Sequence, residues 1–206
     1  MYKRQTGYRA PSLQERFGFG GDATFVPEES LGGDFGVMKD YASGSFGLTV
    51  FYTEIDSLIR YDRSTFSIFQ LPGTTTTRGV ELASDWQFGA VTVYGNYTYT
   101  DAETDGARLV RVPRHDLTLG AETLLVGAWS GSADVRMVRD LLDVDGAGNS
   151  VALDDFSVVN LGLRYDISDT TEAYLRLENV LDEDYQTTLG YDAPGRSVFV
   201  GLSASF

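Results

Sequence analysis

Apolar and polar side chains alternate along this chain with a period of two. In Ser197–Phe206, Val198, Val200, Leu202, Ala204 and Phe206 share one face of an extended strand, and Ser197, Phe199, Gly201, Ser203 and Ser205 share the other. In Thr171–Leu181, Ala173, Leu175 and Leu177 oppose Glu172, Tyr174, Arg176 and Glu178. In Asp155–Ile167, Val159, Leu161, Leu163, Tyr165 and Ile167 oppose Asn160, Arg164 and Asp166. In Arg114–Gly127, Leu117, Leu119, Ala121 and Leu125 oppose Asp116, Thr118 and Glu122. Strand-like runs also cover Leu31–Asp40, Thr76–Phe88, Ala90–Asp101 and Trp129–Asp140. Ser45–Tyr61 is mixed: Leu48, Val50 and Tyr52 alternate, but Phe51, Ile55 and Ile59 take the other phase, so this strand is expected to run on into a loop. No useful length of chain carries a helical apolar period. The pattern predicts about nine to ten strands, each near the ~9–11 residues that a tilted strand needs to cross a bilayer.

The connections alternate in length. Tyr41–Gly44, Gly89, Ala128 and Ser168–Thr170 are short, whereas Asp62–Thr75, Ala102–Pro113, Leu141–Asp154 and Asp182–Arg196 are long and rich in Asp, Gly and Pro. Short turns on one edge and long loops on the other characterise an outer-membrane barrel. An Arg facing lipid at mid-membrane costs about 2–4 kcal/mol, so the charged phase must face the lumen. That phase is dense in charge and suits a wide, wet lumen better than a small packed barrel. The predicted fold is all-β: an antiparallel transmembrane β-barrel. Val200, Leu202, Ala204 and Phe206 are the expected outer-membrane insertion signal, lipid-facing and ending on an aromatic residue.

Composition narrows the function classes. A net charge of −14 leaves no basic excess to neutralise phosphates, which argues against nucleic-acid binding. The lack of cysteine removes disulfide scaffolds and thiolate metal sites, and suits passage through an oxidising periplasm. No apolar run is long enough for a membrane-spanning helix. His115 is the single histidine and supports neither a catalytic triad nor a metal site; no convergent catalytic set is visible, no cofactor is implied, and an enzyme is not expected.

Three loop features carry candidate chemistry. Asp143, Asp145 and Asp154 stand at positions 1, 3 and 12 of a calcium-loop spacing, with Gly148 at position 6. Position 5 is Ala147, position 12 is Asp and no helices flank the run, so an acidic surface loop is the plainer reading. Arg108 and Arg111, with Arg114 beside them, could grip an anionic ligand or lipopolysaccharide phosphates. The plainer reading is a solvated loop with local ion pairs to Glu103 and Asp105. Tyr185 and Tyr191 flank the last loop and could contact ligand, or could simply pack there.

Five segments in order resemble the TonB-dependent outer-membrane receptors, and most closely their cobalamin (vitamin B12) branch. They are Gly7-Tyr-Arg-Ala-Pro-Ser-Leu-Gln-Glu-Arg-Phe-Gly18, then Pro27-Glu-Glu-Ser30, then Tyr52-Thr-Glu-Ile-Asp-Ser-Leu-Ile59, then Arg78-Gly-Val-Glu-Leu82, and finally Glu178-Asn-Val-Leu-Asp-Glu-Asp-Tyr185 with Gly190-Tyr191 and Pro194-Gly-Arg196. The chain departs from the family's usual entry to the second segment, having Asp22-Ala-Thr-Phe-Val26 there. The resemblance implies a barrel of about 22 strands holding a plug. Counting strands back from Phe206 leaves only Thr6–Ala10 for the first upward strand. Residues 6–206 are therefore read as the C-terminal portion of a larger barrel, with two open sheet edges and the plug absent. Residues 1–5 carry charge without a following apolar stretch and are read as an artefactual leader.

The resemblance also implies a function and partners. Such a receptor binds a scarce large solute, of the cobalamin or siderophore class, and imports it with TonB energy; it sits in the bacterial outer membrane. The implied partners are outer-membrane lipid and lipopolysaccharide, the barrel-assembly machinery through the last strand, and TonB only through the missing plug region. Two alternatives stay open from the residues alone: a small self-contained barrel acting as a passive pore or adhesin, and a soluble β-sandwich that binds carbohydrate.

Overall fold

A computed structural model describes residues 2–62 and 65–205. One sheet holds eleven strands. Ten of them follow chain order in an antiparallel meander: β1 (Tyr2–Arg9), β2 (Glu28–Tyr41), β3 (Gly44–Asp56), β4 (Thr74–Phe88), β5 (Val91–Thr104), β6 (His115–Leu124), β7 (Trp129–Arg139), β8 (Phe156–Ser168), β9 (Thr171–Glu178) and β10 (Ser197–Ala204). The eleventh, Ala107–Arg108, folds back on the end of β5. Among the described residues β1 and β10 each pair on one side only, so the sheet is open.

The register turns the alternating pattern into two chemically distinct faces. Val37, Leu48, Leu82, Tyr97, Leu117 and Met137 are successive cross-strand partners, and they make one continuous apolar row. Ala121, Ala133, Leu161, Leu177 and Val198 make a second. A slip of one residue would put every one of these side chains on the wrong face. On the opposite face the neighbours are Asp116 and Arg136 at 2.7 Å, Asp134 and Asn160 at 2.8 Å, and Arg164 and Glu172 at 3.7 Å.

Glycines on this polar face lie under aromatic rings. Gly79, Gly120 and Gly201 are the direct partners of Phe51, Tyr94 and Tyr174, and a Cβ at any of the three would run into the facing ring. An aromatic side chain laid over a cross-strand glycine covers backbone that has no side chain of its own.

Aromatic pairs mark both edges of the apolar face. Tyr41 and Trp86 (5.2 Å between centroids) and Trp129 and Tyr165 (4.7 Å) sit at the short-turn edge. Tyr97 and Tyr99 flank His115 towards the other edge, and Tyr97 Oη lies 2.7 Å from His115 Nδ1. Amphipathic rings in two belts are what two membrane–water interfaces select. Val200, Leu202 and Ala204 lie in β10, with Val200 and Leu202 largely exposed; Phe206 lies outside the described residues.

Strand ends differ from the sequence pattern where local geometry intervenes. The run read as Ser45–Tyr61 stops at Asp56, because Ser57 takes a left-handed φ of 59° and the chain re-enters as a separate hairpin, Ile59–Asp62 with Ser67–Gln70. The run read as Thr171–Leu181 stops at Glu178, before Asn179 at φ 52°. β2 starts three residues earlier than Leu31, and β6 is shorter than Arg114–Gly127. Tyr2–Gln5 pair in register with Gly32–Phe35 and extend the strand expected at Thr6–Ala10; all of β1 is exposed.

Every long connection sits at one edge, and most carry structure of their own. A five-residue helix, α1 (Leu13–Phe17), opens the first. Ser12 and Glu15 form a reciprocal capping box that makes so short a helix tenable. Two further hairpins, Leu142–Val144 with Ser150–Ala152 and Gln186–Thr188 with Tyr191–Asp192, fold in later loops. The one buried apolar cluster, among the described residues, is Val138, Leu141, Leu153, Phe156 and Val158, with Tyr185 packed against it.

Candidate functional site: the layer of long loops

The loops form a layer over the polar face. Thr75, Ala102 and Thr104 belong to the polar phase of β4 and β5, yet all are buried, and the Thr75 and Thr104 hydroxyls bond each other at 2.7 Å. A polar-face residue can be buried there only if loops fold across it.

Three lacings hold the layer. At the first, Arg9 Nε and Nη2 both reach the Glu28 carboxylate at 2.6 Å, and Nη1 reaches Glu15 at 2.9 Å. Glu28 also accepts from the Ile59 amide at 2.7 Å, and Gln70 bridges Val26 and Ser57 through their backbone. The first loop is thus tied to the next hairpin. At the second, Asp143 is fully buried. It accepts from Arg111 Nε and from the Val144 and Leu189 amides, each at 2.8 Å. Burial pushes its pKa up, but the Leu189 and Val144 amides and the Arg111 guanidinium outweigh that and hold it below the ordinary carboxyl value. At the third, Asn179 Oδ1 accepts from the Glu183 amide at 2.8 Å, while Nδ2 donates to Glu183 O at 2.9 Å and Pro194 O at 3.3 Å. Asp182 accepts from the Arg196 amide at 2.8 Å. The Glu178–Tyr185 and Pro194–Arg196 segments are therefore two sides of one closed loop.

The expected site residues divide accordingly. Arg108 pairs with Asp140 at 2.7 Å and Arg111 with Asp143 at 2.8 Å; the acids come from the following long loop, in place of the local Glu103 and Asp105. Arg114 bridges Asp101 and Asp140 at 3.2 Å each. Tyr185 stacks on Phe156 at 4.3 Å and belongs to the small core. Tyr191 is well exposed in the last hairpin.

Asp143, Asp145 and Asp154 do not converge. Asp143 is consumed by the contacts above. Asp145 caps its own turn, accepting from the Ala147 and Asn149 amides at 2.9 and 2.8 Å. Asp154 is exposed. No group of three acidic, His or Cys side chains among the described residues is placed to hold a metal ion.

A cavity of about 460 Å³ opens between the hairpin at 59–70, the β5–β6 tip and the 142–152 hairpin. Arg60, Arg108 and Arg111 line it together with Tyr61, Phe69 and Leu109. Sequence reasoning missed Arg60, because it assigned that residue to a wall strand. The signal that could have placed it is the phase break at Ile55 and Ile59.

The geometry has known counterparts. The family model described as TonB dependent receptor-like, beta-barrel matches residues 5–180. The chain belongs to that family. It is a family of transporters and receptors of the bacterial outer membrane, so the apolar face meets lipid, the polar face meets the lumen and the long loops face outward. A vitamin B12 transporter, BtuB, of Vibrio cholerae serotype O1 is 23% identical over 205 residues, covering 98% of this chain and 34% of its own length. The BtuB of Photobacterium profundum is 25% identical over 210 residues, with the same coverages. The chain thus spans about a third of the length of these curated relatives. Among solved structures, the copper transporter OprC superposes with a TM-score of 0.81 at 17% identity, covering all of this chain and 36% of its own. The FrpB iron transporter of Neisseria meningitidis gives 0.80 at 16%, with the same coverages. These superpositions establish the barrel fold.

Proposed function

We propose that this chain supplies lumen wall and outer loops to a receptor that captures a scarce large solute outside the cell and imports it with TonB energy. The observation that carries the reading is the loop layer: loops braced by buried polar residues are folded across the lumen face and leave an open cavity among them. A passive pore needs no such braced cover. The named relatives are vitamin B12 transporters, and the solved neighbours include a copper transporter, an iron transporter and a siderophore receptor, which supports a solute of the cobalamin or siderophore class. Lipid and lipopolysaccharide around the apolar band, and the barrel-assembly machinery at β10, complete the proposed partners. The reading contains no catalytic step.

The test is uptake. In cells whose cobalamin receptor carries this chain in place of its matching segment, solute accumulation should occur and should vanish when TonB is deleted. Accumulation that survives the deletion would support a passive pore and sink the import reading.

A further inference from the structure

Among the described residues, Arg60 is a loop cation that holds no carboxylate. Arg9, Arg108, Arg111 and Arg114 each hold a carboxylate. Arg60 is half-buried, and among the described residues its guanidinium makes no hydrogen bond or ion pair. Asp62 and Asp105 line the same cavity, but neither pairs with it. Its charged neighbour is instead a second cation: burial first, then the Arg111 charge, push its pKa down. An arginine stays protonated at neutral pH all the same. A half-buried guanidinium facing another cation is costly in the empty protein, and the cost is relieved by an anion.

The rest of the cavity states what the anion is attached to. Phe69 is the direct hairpin partner of Arg60, so the ring and the guanidinium share a face. Leu71, Pro72, Leu109 and Val110 extend the apolar lining. The volume of about 460 Å³ lies in the range of small-molecule sites.

We propose that this cavity binds the oxyanion of an amphipathic solute, a carboxylate or phosphate joined to an aromatic or apolar body, with Arg60 as the recognising cation and Phe69 as the apolar contact. The proposal rests on the receptor reading and narrows its solute to an anionic one. Arg111 contributes field, with its Nε held by Asp143. Among the described residues the Arg60 guanidinium has no partner, so replacing the side chain removes binding without removing a brace.

The probe is phenyl phosphate, titrated calorimetrically into the detergent-solubilised receptor that carries this chain in place of its matching segment, with phenol as the neutral control. Phenyl phosphate should bind and phenol should not. Arg60→Gln should weaken phenyl phosphate at least about tenfold, the scale of one charge-assisted contact, and Arg60→Lys should stay within about threefold. Phe69→Leu keeps the charge; it should weaken phenyl phosphate and leave inorganic phosphate unchanged. Equal binding of phenol and phenyl phosphate, or full affinity in Arg60→Gln, overturns the proposal. Lipopolysaccharide micelles form a second arm: if Arg60→Gln cuts micelle binding while phenyl phosphate does not bind, the anion belongs to a lipid headgroup and the solute assignment fails. Intact anion binding with no TonB-dependent uptake leaves the site standing and removes the import reading.

Discussion

The membrane wall and the loop layer solve the folding problem in opposite ways. Below the loops the wall has no buried side chain among the described residues: Phe35, Val37, Val50, Leu119, Val200 and Leu202 are all more than a third exposed on its apolar face. Its apolar stripe is made for lipid, and register alone decides which side chains reach it. The loop layer, with the strand ends that enter it, holds every buried side chain among the described residues, including Thr75, Thr104, Asp143 and Asn179. Its few apolar contacts are supplemented by polar groups, of which Asp143 and Asn179 bond two or three backbone partners each. One sequence therefore encodes a region indifferent to polar lacing and a region dependent on it.

The largest expected effect tests the wall. Leu119 lies mid-strand on the apolar face between Gly95 and Val135. Leu119→Arg should cost about 2–4 kcal/mol in lipid, whereas Thr118→Arg, one residue away on the lumen face, should change stability by under about 1 kcal/mol. Denaturant unfolding in vesicles measures both. Equal penalties would mean that the two faces are wrongly assigned.

The next effect tests the loop layer. Asp143→Asn keeps the shape but removes the charge facing Arg111 and leaves a buried donor without its acceptor, at about 2 kcal/mol. The same carboxylate makes the layer sensitive to acid. Its folded pKa is depressed, so its contribution is present above the ordinary carboxyl value of 3.8 and is lost as pH falls through the folded value. Hydrogen exchange should show the Val144 and Leu189 amides protected at neutral pH and opening below about pH 4, with β6 and β7 still protected. Wall and loops opening together would erase the distinction between them.

A somewhat smaller loss is expected at Asn179. Its amide group spans both sides of the last loop, and its φ of 52° is one that Asn tolerates better than most residues. Asn179→Ala should cost about 1–2 kcal/mol and expose 180–196 to protease, while β9 and β10 stay paired. Cleavage within β10 at the same rate would show that the loop and the wall are one cooperative unit.

The two regions were also unequally legible. Wall strands follow from alternation, because lipid on one side and water on the other impose a period of two that any single strand displays. Loop structure follows from long-range pairing, which no local pattern records. Arg108 and Arg111 were visible as candidate cations, but their partners Asp140 and Asp143 lie 32 residues on. The calcium-like spacing of Asp143, Asp145 and Asp154 described a loop whose first acid points into the protein to brace it. Helix α1 was the exception: Ser12-Leu-Gln-Glu15 is a capping box in the sequence itself, hidden only by the brevity of the helix. The motif residues that carried the family resemblance, Arg9, Glu28, Asn179 and Asp182, turn out to be braces of the loop layer.

The smallest expected effect separates the kinds of brace. Arg9 makes more ionic contacts than Arg111, reaching two carboxylates, but its side chain is about half exposed (47%), so water screens much of what it gains. Arg9→Gln should therefore cost under about 1 kcal/mol despite losing two ion pairs, and added salt should weaken the wild-type brace by a similar amount. The backbone tie from Ile59 to Glu28 should survive, because Glu28 accepts that bond without help from Arg9. Hydrogen exchange at the Ile59 amide reads this directly. Loss of its protection in Arg9→Gln would mean that the exposed clamp, and not the backbone bond, holds the first loop to the hairpin that carries Arg60.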